Sequence, residues 1–137
     1  MMKRILRKGV AAVEFAVVLP TLLLIVLGTI EASRAVGVQH TLQEASMNGC
    51  RIYMLRDKTQ ADAANVIHQA LAAANIAGYT VSYDPPTKAG IDSDMEPVTV
   101  NISVPYANVS LGIRWFFRDS TISARSIFPA DLIASSP

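Results

Sequence analysis

The sequence predicts an α+β protein. A long N-terminal transmembrane helix continues outside the membrane, followed by a small head with one helix and an antiparallel sheet of about three strands. Three observations carry this reading. An apolar run occupies residues 10–30, and a capping signal opens a short apolar-striped segment after residue 59. Two further segments, 79–83 and 98–104, alternate apolar and polar residues with the two-residue period of strands. A chain of 137 residues suits one modest domain beside a membrane segment.

Taken in order, the basic Lys3, Arg4, Arg7 and Lys8 come first. The run Val10–Ile30 then spans 21 residues, about 31 Å of helix and enough to cross a bilayer core. Cations before the run and none directly after it place the N-terminus in the cytoplasm and the remainder outside it. Four of the twelve Lys and Arg precede the run, so the other eight face eleven Asp and Glu, a formal −3. That balance gives no electrostatic reason to expect a nucleic acid. A cleaved secretory signal ending near Ile30-Glu31-Ala32 is the rival. The run exceeds the ~7–15 residues usual there, and it contains Glu14, an ionisable group of the kind that marks function inside a bilayer.

Beyond the membrane the helix is expected to reach about Arg56, weakened only at Gly37 and Gly49. Thr59-x-x-Asp62 is a variant of the capping box; Val66, Ile67, Ala70, Leu71 and Ala74 form the stripe behind it, and Gly78 is the stop signal. In 79–83 the alternation puts Tyr79, Val81 and Tyr83 on one face. Prolines and acids make 84–97 a loop. Val98, Val100, Ile102 and Val104 share the face of the clearest strand, and a last strand is expected around Thr121 to Phe128. The resulting plan is a basic leader at 1–9, a transmembrane helix at 10–30, its extension at 31–56 and an extracytoplasmic head at 57–137.

Catalytic groups do not assemble in this sequence, so the reading is non-enzymatic, without cofactor or metal. His40 and His68 fall on separate predicted helices, with no cysteine or acid at ligand spacing. Asp92, Asp94 and Glu96 alternate like the start of a calcium loop but lack its glycine and closing glutamate, which leaves a solvated loop. Asn101 and Asn108 head glycosylation sequons read as chance matches. The single Cys50 excludes an intramolecular disulfide and is expected on a packed helix face. Glu31 and Arg34, at i and i+3, read as an exposed helix pair. Trp115, Phe116 and Phe117, between Arg114 and Arg118, read as core or as a docking patch for a partner.

Gly9 and Glu14 acquire meaning together. If the chain is cut after Gly9, Val10 becomes an N-terminus whose amino group is cationic at neutral pH. Glu14 is then the fifth residue and can pair with a neighbour's amino terminus inside a helix bundle. A slip in register would leave a charge unpaired in apolar surroundings. This arrangement resembles the prepilins of type IV-like systems, which carry a basic leader, a cleaved glycine and a glutamate five residues on.

The stretch "RKGVAAVEFAVVLPTLLLIVLGTIEASR" is similar to the TadE-like family of Tad (Flp) pilus systems. Gly9, Glu14-Phe15, Pro20 and Gly28-x-x-Glu31-x-x-Arg34 carry the likeness, with Val10 where conventional type IV prepilins have phenylalanine. "HTLQEASMNGCR" at 40–51 resembles the family's helix after the membrane. The likeness spans about residues 7–51. It implies a minor pilin or pseudopilin of the bacterial inner membrane, cut by a prepilin peptidase and needed for adhesive Flp pili. Its implied partners are that peptidase, other Tad pilins and pseudopilins, and the inner-membrane assembly platform. The sister TadF-like pseudopilin shares this layout. An uncleaved single-pass anchor with a periplasmic binding head is the reading from a different class.

Overall fold

The computed structural model describes residues 2–93, 95–110 and 119–131, with the backbone alone for 2–8. Helix α1 runs unbroken from Met2 to Met54 and admits one proline, Pro20. Pro20 leaves the carbonyl of Ala16 without its usual helical donor, which helices in apolar surroundings tolerate. Burial divides α1 in two. Every residue from Gly9 to Leu27 is exposed, whereas Glu31, Val38, Leu42, Ala45, Gly49 and Tyr53 are buried at steps of three, four or seven. Such spacing lines one helical face, so the second half of α1 is a core helix and the first half is not.

Helix α2, Gln60–Ala73, starts at the predicted cap. Thr59 Oγ1 accepts from the Asp62 amide at 3.1 Å, and Asp62 Oδ2 accepts from the Thr59 amide at 2.8 Å. Ala63, Ile67 and Leu71 form its buried edge, one helical turn apart, and the helix lies against α1. Gly49 makes that approach close: a Cβ there would stand 2.4 Å from Ile67 Cδ1. The helix stops earlier than its glycine suggests. Asn75 takes the left-handed conformation at φ 54, and the amides of Asn75 and Ile76 return to the carbonyls of Ala72 and Leu71 at 3.0 and 2.9 Å. This is the paired closure that an αL residue permits. Gly78, at φ 68, turns the chain a second time into the sheet.

Strands β1 (Thr80–Asp84), β2 (Pro97–Pro105) and β3 (Thr121–Pro129) form one antiparallel sheet in the order β1-β2-β3. In the register, Ile102 stands between Val81 and Ala124, and Val104 faces Ile122. Val98, Val100, Ile102 and Val104 are fully buried, as their alternation predicts. Thr80, Ser82, Asn101, Ser103, Ser123 and Arg125 fall on the opposite, polar face. The predicted architecture is the observed one.

Polar side chains of α1 tie it to the sheet. Ser46 Oγ donates to the Val100 carbonyl at 2.8 Å. Gln39 and Gln43, one turn apart, donate to the carbonyls of Ser123 and Arg125 on the edge strand β3 at 3.2 and 3.4 Å. The far end of α1 is closed from the β1–β2 loop. There the Lys88 ammonium takes the carbonyls of Leu55 and Lys58, a cation at the negative end of a helix. Tyr53 Oη donates to the Pro85 carbonyl at 2.9 Å.

Candidate functional site

The sequence-predicted processing and assembly residues all lie on the bare half of α1. Gly9, Val10, Glu14 and Phe15 are exposed. Phe15 is 61% and Val17 70% exposed, and one 18-residue window of α1 reaches a mean hydropathy of 2.6 with none of it buried. A helix that is apolar all round and touches no protein needs another apolar surrounding, either lipid or other helices. Among the described residues this is the one helix long and apolar enough to cross a membrane, which fits a single-pass membrane protein. Glu14 sits one helical turn after Val10 on this surface.

Gly9 answers to nothing among the described residues. A Cβ added there would meet nothing within 4 Å, and its backbone is helical. The contrast with Gly49, wedged under Ile67, separates a glycine that packing requires from one that it does not.

At the other end of the apolar run the structure corrects an expectation. Glu31 is not an exposed partner of Arg34: it is 1% exposed. Its Oε2 accepts the hydroxyl of Tyr106, which opens a 3-10 turn, Tyr106–Asn108, directly after β2. Arg34 is half-buried and donates from Nε to the Val109 carbonyl at 3.2 Å. Both residues therefore engage the head. Tyr106 is itself 1% exposed. Burial foremost, then the hydrogen bond and negative charge of Glu31, pushes its pKa up to about 12, because each disfavours the phenolate.

Position 31 begins the buried face of α1, with residue 38 two turns on. That periodicity was the signal available in the sequence, and the i, i+3 charge pair concealed it.

The remaining candidates disperse. Cys50 is fully buried, its Sγ 3.4 Å from the Val98 carbonyl, and burial pushes the thiol pKa up. It is the packed helix-face cysteine expected. His68 and Tyr79 share a 3.0 Å hydrogen bond on the surface. Glu96 Oε2 accepts the amides of Asp92 and Ser93 at 2.8 and 3.2 Å, closing its own loop. Trp115, Phe116 and Phe117, with Asp94, lie outside the described residues.

No curated protein and no solved structure matches the chain significantly. The family model for TadE-like proteins matches residues 9–51, from the glycine before Val10 through Glu14 and Glu31 to the core half of α1. Over that segment the chain is similar to TadE-like proteins, the likeness of a Tad pilus-associated protein.

Proposed function

We propose that the chain is a TadE-like minor pilin or pseudopilin that takes part in assembling Tad (Flp) pili for surface adherence. In this reading it inserts with its N-terminus in the cytoplasm, and residues 57–137, built on the second half of α1, form the extracytoplasmic head. A prepilin peptidase removes residues 1–9 between Gly9 and Val10. The exposed apolar helix then lies beside those of other Tad pilins at the assembly platform. Glu14 fixes the register by meeting a neighbour's amino terminus, and Phe15 adds to the contact surface.

One observation carries the reading. Gly9, Val10 and Glu14 lie close together on a stretch of helix that is exposed from residue 9 to 27, and no described residue packs on the glycine. Residue types placed without internal use are explained by external partners. The test is co-expression with the cognate prepilin peptidase, followed by intact-mass analysis. The mature chain should begin at Val10, and Gly9→Val should leave the leader attached. An uncut leader beside an active peptidase would instead favour the uncleaved membrane anchor.

A further inference from the structure

We infer that Glu31 is a positioning residue: it holds the membrane-proximal turn of the head, Tyr106–Val109, on α1 where the helix leaves the apolar layer. The inference rests on the pilin reading above for its consequence, though not for its geometry.

Glu31 is the sole charged residue between Glu14 and Arg34, and it directly follows the apolar run. It occupies the first core position of α1, where an apolar side chain would fill space without the penalty of burying a carboxylate. What the carboxylate adds is direction. It accepts one specific hydroxyl, Tyr106, from 75 residues along the chain. One turn of α1 later, Arg34 reaches Val109, at the other end of the same short segment. Two directional contacts from residues 31 and 34 thus grip both ends of one turn. Sliding that turn by a single residue of helix, about 1.5 Å along the axis and 100° around it, would break both contacts.

The grip is local. Tyr106 and Val109 form the edge of the buried core, whose bulk lies farther along α1, from Val38 to Tyr53 against Val98 to Val104. Losing Glu31 should therefore release the turn without dissolving the core. The 17-residue step from Glu14 to Glu31 spans about 25 Å of helix. With Glu14 setting the register between neighbouring helices, Glu31 sets the height of the head's lower edge above that register. Contacts between adjacent heads inherit both.

The test is hydrogen exchange on the detergent-solubilised full chain carrying Glu31→Ala, Glu31→Gln, Tyr106→Phe, or Glu31→Ala with Tyr106→Phe. The amides of Val109 and Ser110 bond to the Tyr106 carbonyl at 3.0 Å and report on the turn. Glu31→Ala and Tyr106→Phe should each speed their exchange about tenfold or more, while the β2 amides keep their protection. Glu31→Gln, whose amide oxygen still accepts the hydroxyl, should recover most of the loss, and the double variant should lose less than the two single variants added together. Unchanged exchange at the turn, or an equal rise throughout β2, would overturn the assignment. Co-purification of the same variants with other Tad pilins reads the consequence separately. Weakened association in Glu31→Ala, restored in Glu31→Gln, supports it, and normal association despite a released turn removes it while leaving the geometry standing.

Discussion

Tyr83 and Tyr106 show how differently the fold treats two buried hydroxyls. Tyr106 donates to Glu31; Tyr83 Oη is buried and has no hydrogen-bond partner among the described residues. The Tyr83 ring packs against Tyr53 with centroids 4.7 Å apart, so its worth to the fold is its aromatic area. An orphaned buried donor costs about 1–3 kcal/mol relative to hydration. Tyr83→Phe keeps the ring and removes the orphan, and should raise stability by up to about 1 kcal/mol. Chemical denaturation of the detergent-solubilised chain measures this, and a clear loss of stability would reveal a partner for the hydroxyl. Neither hydroxyl's fate was legible in the sequence. Tyr83 alternates correctly within its strand, yet alternation assigns a face and not a hydrogen bond. Glu31 read as exposed because Arg34 is its obvious local partner, while its actual partner arrives from a distant turn.

Elements were more legible than residues wherever their cause is local. The Thr59–Asp62 box depends on four consecutive residues, and the β2 alternation on seven; both appear where the sequence placed them. The end of α2 comes a few residues before Gly78, the stop signal read in the sequence, because Asn75 already adopts the left-handed conformation that closes the helix. The glycines of α1 were misjudged in kind. Gly37 and Gly49 both looked like weak points of a long helix, but a Cβ at Gly37 would meet nothing within 4 Å, whereas one at Gly49 would collide with Ile67. Gly37→Ala should therefore stabilise the helix by up to about 1 kcal/mol. Gly49→Ala should lose about 1–3 kcal/mol to overpacking, offset in part by the same helical gain. Thermal unfolding of the two variants side by side decides it. Equal shifts would mean that Ile67 moves aside without cost, and that the α1–α2 contact is looser than its geometry.

At the scale of the whole molecule, one continuous helix serves two surroundings. From Val38 to Tyr53 it is the spine of the α+β head, and from Val10 to Ile30 it offers apolar side chains to a medium the chain does not itself supply. That division was legible because hydrophobicity without periodicity gives way to hydrophobicity on one face. How the head sits on the spine was not, since it depends on contacts between β2, β3 and α1 that no local pattern encodes. Glu14 tests what the bare half is for. Its removal takes an acid out of an apolar segment, so Glu14→Ala should insert in the membrane at least as well as the natural chain. In the proposed role cleavage should persist, since the cut would depend on Gly9. The head should keep its stability, because Glu14 is exposed and no buried group among the described residues contacts it. If the chain is the pilin proposed, association with other pilins is what should fail: in a low-dielectric bundle an amino terminus and a carboxylate attract strongly, and each is costly there without the other. Glu14→Asp, one methylene shorter, should be partly defective. Co-purification with the other Tad pilins, with pili counted by microscopy, reads the outcome. A Glu14→Ala chain that is cut, binds its partners and supports normal pili would show that this carboxylate does not pair with a neighbour's terminus.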